Sequence, residues 1–394
     1  MAILFISALA PDREGYRNPA FTRSGNNVLM GIADALVSNS DEDVEFVSHP
    51  VLPSFPNGKL WVGKKTDTLD NGAKISFLPT LNVKILKTWM WGKFCRGIIK
   101  KWAKRHKGER LRVLLYNTYH PSVSEIYKEC KSVGAKLYVM LYDLGVPPKR
   151  LGMSRLTMLG YEMAEKKAKK YIPLVDGRIV INDLIARDYA PDKDYILVDG
   201  GVNNHVISHL FPLEDSGTAK LTLVCAGLLW DQNGTKLILT MLSKHPDLDV
   251  DVVFAGRGQD VPLIEDASKV DARIKYVGML NMEQLFAIYQ KADILLNLRL
   301  EEEVDYHFPS KLLEYLVTGR YVISTPVAHA ERDYGLYMST LHDKTSEGLY
   351  HIICDLEVKG KTYMFEKGKA AREFMLENRT WDKGTKRILE YMNR

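Results

Sequence analysis

Short apolar runs alternate with amphipathic stretches along the first half of the chain. The runs predict strands at Ala2–Ser7, Val44–Val47, Arg112–Tyr116, Lys136–Leu141, Gly177–Ile181 and Ile196–Val198. Apolar residues recurring every three or four positions predict helices over Val28–Ser38, Val123–Val133 and Ser154–Lys170. Because the strands are continuously apolar and helices separate them, the pattern favours a parallel sheet covered on both faces.

The periodicity is lost across a polar stretch with Pro and Gly, Asn203–Lys220, and then restarts. In the second half it predicts strands at Leu221–Ala226, Val250–Ala255, Ile274–Val277, Ala292–Leu298 and Tyr321–Ser324, and helices at Lys236–Ser243, Met282–Gln290, Lys311–Val317 and Arg372–Arg394. We therefore predict one domain over 1–200, a second over 201–375, and a closing segment, 376–394.

Composition places the chain among ordinary globular proteins. Its 394 residues exceed one typical core and suit two α/β domains. With 46% hydrophobic and 26% charged residues, extensive disorder is not expected. A net charge of +5 is modest for this length and does not call for a nucleic-acid partner.

Two features of the sequence bear on the cellular compartment of the protein. The four cysteines are far apart and form no Cys-x-x-Cys pair, which is typical of reduced thiols in the cytosol. The apolar run at the start has no basic residue before it, so it is better interpreted as a buried strand than as a signal peptide. We expect a cytoplasmic protein without a membrane span.

The segment 292–326 carries the clearest chemistry. A strand ends near Leu298, and after a polar loop a helix begins at Pro309-Ser310-Lys311. The free N–H groups of its first turn, with Lys311 beside them, suit a diphosphate. Glu314 lies one turn further on, where a carboxylate can accept hydrogen bonds from a ribose diol. A surface lysine and a solvated or capping glutamate on an ordinary helix fit the same pattern.

The run FPSKLLEYLVTGRYVIST within that segment resembles the donor-site signature of GT-B glycosyltransferases of the glycogen-synthase-like, family-4 kind, in the subset with a Phe-Pro-Ser-Lys element. The runs AGLLWDQNGTKLIL, FAGRGQD and YVGMLNMEQLFAIYQKADILLNL match the same family's order of strand, turn and helix, so the resemblance covers nearly all of 220–326. It implies the GT-B fold, an α/β class with two Rossmann-like, doubly wound parallel-sheet domains facing a cleft. It also implies that the C-terminal helix within 376–394 crosses back to pack on the first domain, burying Trp381, Ile388, Leu389 and Tyr391.

The resemblance also implies an activity. The second domain would bind a nucleotide-diphosphate sugar, and the first would bind a glycan, lipid-linked or other acceptor. Transfer would be of the hexosyl type with retention, with neither a metal nor a cofactor. Lys311 would contact the diphosphate, Glu314 would hold the ribose, and Ser310 would support the pyrophosphate. Gly227, Gly256 and Arg257, in the matching runs, are further donor-binding candidates.

The first domain contributes two candidates. Gly25 lies between the first strand and its helix, where the family carries a Gly-bearing loop near the donor phosphates. His120 follows the strand VLLYNTY, where family members carry a histidine that touches the donor sugar. A turn glycine and a structural histidine are the alternatives for these two residues.

Three positions depart from the family pattern. Tyr306 stands where many members carry a glutamate, and we assign Glu302 from the adjoining acidic run in its place. Leu228 and Asn233 stand where a phosphate-binding arginine and lysine are expected, and Arg257 and Arg299 are the proposed substitutes. A nucleotide-sugar epimerase and a catalytically degenerate sugar-nucleotide-binding module remain as rival interpretations.

Other kinds of site find no support in the pattern. The sequence GRG at 256–258 is not a G-x-G-x-x-G motif, which argues against a nicotinamide dehydrogenase. None of the ten histidines forms an i, i+4 ligand pair with a Glu between, so no zinc site is predicted.

Basic residues concentrate at 84–112, which holds eleven Lys or Arg and a single acid. As a helix, this stretch would place apolar residues on one face and basic residues on the opposite one: Trp91, Phe94, Cys95, Ile98 and Trp102 against Lys93, Arg96, Lys100, Lys104 and Lys107. That division is typical of a helix lying on an anionic membrane. The alternative is an amphipathic helix whose tryptophan face packs on the first domain.

Overall fold

The computed structural model describes the chain except for positions 1, 19, 22, 41, 85, 119–122, 143, 145–153 and 301–307, and the side chains of 23, 24 and 156. The chain divides into two compact units. The N-terminal unit comprises Met1–Gly201 with Trp381–Arg394, and the C-terminal unit comprises Val202–Thr380.

Within the described part of Met1–Gly201, ten strands and five helices form. The strands are β1 (Ala2–Ser7), β2 (Asp43–Ser48), β3 (Trp61–Val62), β4 (Lys65–Thr68), β5 (Lys74–Phe77), β6 (Thr80–Leu81), β7 (Leu111–Tyr116), β8 (Lys136–Leu141), β9 (Gly177–Val180) and β10 (Ile196–Leu197). The helices are α1 (Arg23–Asn39), α2 (Leu86–Arg105), α3 (Val123–Val133), α4 (Arg155–Tyr171) and α5 (Asp183–Tyr189).

The N-terminal sheet has the order β10-β9-β8-β7-β1-β2-β5-β4. Its strands are parallel except β4, which pairs antiparallel with β5. The central strand β1 is fully buried, as the continuous apolar run predicts. A separate ribbon forms where β3 pairs antiparallel with β6. Parallel strands end at a common edge, so the segments that follow β2 and β5 lie at the carboxyl edge of this sheet.

The C-terminal unit is built on one parallel sheet. Its described strands are β11 (Leu221–Leu228), β12 (Val250–Arg257), β13 (Ile274–Tyr276), β14 (Ile294–Asn297), β15 (Tyr321–Ser324) and β16 (Met338–Thr340), in the order β13-β12-β11-β14-β15-β16. Its described helices are α6 (Asn204–Ile207), α7 (Thr235–Lys244), α8 (Val261–Val270), α9 (Met282–Lys291), α10 (Ser310–Val317), α11 (Ala330–Tyr334) and α12 (Ser346–Asn378).

The C-terminal tail is not one continuous helix over Arg372–Arg394. Helix α12 ends at Asn378, and a separate helix, α13 (Trp381–Asn393), follows. Helix α13 packs within the N-terminal unit, where the Tyr138 hydroxyl donates to the Met392 carbonyl at 3.1 Å. Its apolar side chains Trp381, Ile388, Leu389 and Tyr391 are buried there.

The tryptophan face predicted to meet a membrane is instead part of the protein core. In α2, Trp91 is 3% exposed and Trp102 is fully buried. The Trp91 indole donates to Thr80 Oγ1 at 2.7 Å, which joins α2 to β6. The membrane prediction is therefore wrong for this face of the helix, because the apolar stripe is already covered by the protein.

The basic face of α2 is also partly engaged. Arg96 pairs with Glu129 at 3.0 Å and Glu125 at 3.4 Å, and Lys100 lies 3.8 Å from Glu129. Both acids are on α3, which packs beside α2. The remaining predicted residues vary in exposure: Lys93 and Lys104 are exposed, and Phe94 is half-buried. Among the described residues, no helix combines the length and hydrophobicity that crossing a bilayer requires.

Candidate functional site

Two glycines pair with each other at the carboxyl ends of β11 and β12. Gly227 in β11 is the register partner of Gly256 in β12. Their φ angles are +117° and +136°, which non-glycine residues rarely adopt. A Cβ on Gly256 would lie 2.0 Å from the Gly227 carbonyl oxygen, so no larger residue fits without moving the backbone. The result is a side-chain-free surface at the carboxyl edge of the C-terminal sheet.

Lys311 reaches this surface from the first turn of α10. The helix begins at Ser310, and the residue before it, Pro309, has no side chain that could cap the first N–H groups. The Lys311 ammonium donates to the Ala226 carbonyl of β11. A Cβ on Gly227 would lie 2.2 Å from Lys311 Nζ, so the glycine provides the space that the ammonium occupies. A cation and a helix N-terminus therefore meet at one point, an arrangement that favours anion binding.

Glu314 lies one turn further along α10. The hydroxyl of Tyr289, on α9, donates to Glu314 Oε1 at 3.4 Å. The hydroxyl of Tyr315 donates to the Ala226 carbonyl at 3.4 Å, so this oxygen accepts from two side chains. The two tyrosine rings are fully buried and meet edge to face, 5.4 Å apart. The two rings pack as an apolar surface next to Lys311 and Glu314.

Burial disfavours the charged form of both groups. It lowers the pKa of Lys311, and attraction to Glu314 opposes this shift only in part. It raises the pKa of Glu314, against the opposing effects of Lys311 and of the Tyr289 hydrogen bond. A lysine with a lowered pKa beside a glutamate with a raised pKa, at the carboxyl edge of a sheet, is typical of a ligand-binding or catalytic site.

The structure brings together five of the predicted donor residues, namely Gly227, Gly256, Ser310, Lys311 and Glu314. Arg257 ends β12 beside Leu228 of β11 and has an exposed side chain. Arg299 follows β14, the other neighbour of β11, and its backbone N–H donates to Thr325 Oγ1 at 2.9 Å. Both arginines thus belong to the same carboxyl edge.

Three predicted residues remain: Gly25, His120 and Glu302. Gly25 lies in the first turn of α1, not in a loop before it, because the helix already begins at Arg23. It belongs to the N-terminal unit. His120 and Glu302, and Tyr306 with them, lie outside the described residues.

Three features of the site were missed by sequence reasoning. These are the Tyr289 hydroxyl, the Tyr315 hydroxyl and the Ala226 carbonyl. Tyr289 is 25 positions from Glu314 and reaches it only because α9 and α10 pack together. Asn233, noted only as a departure from the family pattern, has a structural contact: its side-chain amide donates to the Leu228 carbonyl at 2.7 Å. It closes the turn after β11.

One known protein family matches part of the chain. The family model described as "Glycosyl transferases group 1" matches residues 220–356, which include β11, β12 and α10. The match covers most of the C-terminal unit and none of Met1–Gly201. A search of curated protein sequences finds no match to the chain.

Solved structures resemble the whole chain at low sequence identity. A glycosyltransferase from Rickettsia africae is 16% identical with a TM-score of 0.67, covering 100% of this chain and 98% of its own. Anabaena HepE, solved with UDP and glucose, is 14% identical with a TM-score of 0.60, covering 99% of both chains. The catalytic domain of starch synthase IV from Arabidopsis thaliana was solved with ADP and acarbose. It is 11% identical with a TM-score of 0.63, covering 100% of this chain and 98% of its own. The fold is GT-B, as predicted, with two Rossmann-like units.

Proposed function

We propose that this chain is a glycosyltransferase that binds a nucleoside-diphosphate sugar at the carboxyl edge of the C-terminal sheet and moves the sugar to an acceptor hydroxyl. The observation that carries the proposal is the Lys311 ammonium, desolvated beside Gly227 at the start of α10. The group 1 glycosyltransferase match over 220–356 supports it.

The geometry suits departure of a diphosphate. Transfer breaks the bond between the anomeric carbon and a phosphate oxygen, forms a bond to the acceptor oxygen and releases the acceptor's proton. Negative charge grows on the departing diphosphate. Lys311 and the N–H groups of the first turn of α10 would stabilise that charge, and because they are already positioned, little reorganisation is required. Glu314 would accept hydrogen bonds from the ribose hydroxyls.

The finer parts of the proposal come from the Phe-Pro-Ser-Lys resemblance. They are retention of anomeric configuration, no requirement for a metal, and contact of His120 with the donor sugar. Arg257 and Arg299 would bind the phosphates in place of the arginine and lysine that the family carries where Leu228 and Asn233 stand. The acceptor would be a glycan or a lipid-linked sugar on the side of the N-terminal unit. HepE was solved with UDP and starch synthase IV with ADP, so uridine and adenosine are the first bases to test.

Replacing Lys311 with Ala tests the donor site. We expect donor affinity to fall about 10- to 150-fold, since a hydrogen bond to a charged group contributes about 1.5–3 kcal/mol. Lys269→Ala, at an exposed lysine of the same unit, is the control and should leave affinity unchanged. Affinities are measured by calorimetry after a thermal-shift panel of uridine-, guanosine- and adenosine-diphosphate sugars has identified the donor.

Product analysis with that donor tests the reaction itself. A new glycosidic bond supports the proposal. An epimerised nucleotide sugar, or bound donor with no product across an acceptor panel, contradicts it and favours one of the two rival interpretations. Unchanged donor affinity in a folded Lys311→Ala variant would show that the diphosphate does not bind at α10.

A further inference from the structure

Two neighbouring segments of the N-terminal unit expose several large apolar side chains. Phe55, Leu60, Trp61, Val83, Leu86 and Trp89 are each between 37% and 56% exposed. We call these six residues the apolar patch. They come from the segment after β2 and from the segment that links β5 to α2, so they follow strands that end at the carboxyl edge of the sheet. None belongs to the stripe of α2 that packs in the core.

The buried amide of Asn82 holds the two segments of the apolar patch together. Its Nδ2 donates to the Pro53 carbonyl at 2.7 Å and to the Lys59 carbonyl at 3.0 Å. Its backbone N–H donates to the Leu60 carbonyl at 2.7 Å, and its own carbonyl accepts from the Phe55 N–H at 2.9 Å. These contacts fix the backbone of Phe55 and Leu60, two members of the apolar patch, beside Asn82.

The β3–β6 ribbon and the start of α2 carry the other members of the apolar patch. Trp61 is the register partner of Leu81 in the β3–β6 ribbon, one residue before Asn82. The Lys87 N–H donates to the Val83 carbonyl at 3.0 Å as α2 begins. Leu86 and Trp89 are three residues apart on α2, so they share one side of the helix.

The chain around the apolar patch is strongly basic. Residues 53–66 and 78–93 hold six lysines and no Asp or Glu. Lys59, Lys84 and Lys93 are exposed, and Lys93 Nζ lies 3.8 Å from the centre of the Trp89 ring. The Lys87 ammonium donates to the Asn82 side-chain oxygen at 3.3 Å. An anionic surface with an apolar interior complements this combination of rings and lysines.

We propose that the apolar patch docks on the surface of an anionic lipid bilayer, with Trp61 and Trp89 at headgroup depth and Lys59 and Lys84 on lipid phosphates. Tryptophan favours this depth because its ring is apolar and its N–H is polar. Exposed apolar patches rimmed by polar groups mark interaction surfaces, and the basic rim selects anionic lipid over a neutral surface. The proposal does not depend on the transfer reaction.

The test is co-sedimentation of the full chain with vesicles. Vesicles of phosphatidylglycerol and phosphatidylcholine should bind the protein, more weakly as salt rises, and pure phosphatidylcholine vesicles should bind it poorly. The double variant Trp61→Ser, Trp89→Ser should bind at least about tenfold more weakly. The double variant Lys59→Gln, Lys84→Gln should bind about 25-fold more weakly, at about fivefold for each lysine near the surface.

Matched controls lie on α4 of the same unit. Leu159→Ser with Met163→Ser removes two apolar side chains of similar exposure, and Lys166→Gln with Lys167→Gln removes two exposed lysines. Both should bind anionic vesicles like wild type. Thermal unfolding checks that every variant is folded. The proposal is overturned if wild type fails to bind anionic vesicles at low salt, or if the patch variants bind as tightly as the α4 controls.

Discussion

Lys311 and Glu314 each occupy surroundings that disfavour their charged forms. The lysine has a backbone carbonyl, and the glutamate a tyrosine hydroxyl, as hydrogen-bond partners in the described structure. Removing charges from water costs free energy that such neutral partners restore only in part. Binding of a diphosphate and a diol would supply the missing partners. Lys311 and Glu314, which we propose bind the donor, are therefore expected to lower the stability of the ligand-free protein.

Replacing Glu314 with Gln tests this cost through its pH dependence. The pKa of Glu314 is raised in the folded protein, so folding favours the protonated carboxyl. Wild type therefore loses stability as the pH rises from the ordinary carboxyl pKa through the raised one, whereas the neutral glutamine does not. We expect Glu314→Gln to melt at a higher temperature than wild type near neutral pH and at a similar temperature in acid. Thermal unfolding across this pH range measures the difference.

Glu347 provides a control of opposite sign in the same unit. Hydrogen bonds from Lys244 and His245 hold the pKa of its exposed carboxyl below the usual range. Its stabilising effect is thus present above the ordinary carboxyl pKa and lost as the pH falls. Glu347→Gln should slightly lower the melting temperature near neutral pH. If Glu314→Gln behaves in the same way, the Glu314 carboxylate stabilises the free protein and the argument from desolvation is wrong.

At the scale of elements, the Lys311 ammonium of α10 can lie against β11 because Gly227 lacks a side chain. Gly227→Ala would place a Cβ 2.2 Å from Lys311 Nζ at a φ of +117°. We expect a loss of about 1–3 kcal/mol in the free energy of unfolding from the strained backbone. Displacement of the lysine should weaken donor binding about tenfold or more. Denaturant unfolding and calorimetry measure the two effects separately.

Gly278→Ala separates backbone strain from displacement of the lysine. Gly278 has a φ of +74°, but a Cβ there meets no atom within 4 Å. It should lose stability to a comparable extent and keep its donor affinity. Equal affinities in the two variants would mean that Gly227 does not set the position of Lys311.

Helix α2 shows what periodicity along an element does and does not determine. Its spacing correctly groups Trp91, Cys95 and Trp102 on one side. It does not say whether protein or lipid covers that side, because either would select the same apolar residues. The exposed Trp61 and Trp89 escaped detection because their neighbourhood is created by the hydrogen bonds of Asn82, not by a repeat along the chain.

At the scale of the whole molecule, the N-terminal unit is discontinuous in sequence, since α13 completes it. Ile388 is fully buried in α13. Ile388→Ala should lower the free energy of unfolding by about 2–4 kcal/mol, as is usual for truncating a buried isoleucine. Lys386→Ala, at an exposed position of the same helix, should change it little. Denaturant unfolding followed by circular dichroism gives both values, and equal midpoints would show that α13 adds nothing to the stability of the core.

The sequence predicts most of the parallel strands of both units because buried parallel strands are continuous apolar runs that stand out between helices. It misses the parallel strands β5 and β16, and also β3, β4 and β6; all five have two to four residues and are too short for a period to appear. The closeness of Lys311 and Glu314 at the start of α10 is predictable because both lie within one local segment. Tyr289 and Ala226 join them only through packing, which no local pattern records.

The arrangement of α13 also bears on the order in which the chain matures during synthesis. Domains generally fold as units, the earlier one first, while the ribosome is still adding residues. Here the unit that starts at the N-terminus cannot be completed until residues 381–393 have been made, whereas all of Val202–Thr380 precedes them. A nascent chain that ends before α13 would hold every residue of the C-terminal unit beside an unfinished partner. In such a chain, the faces of Tyr138 and Gly177 that contact Met392 and Tyr391 in the finished fold would still be uncovered.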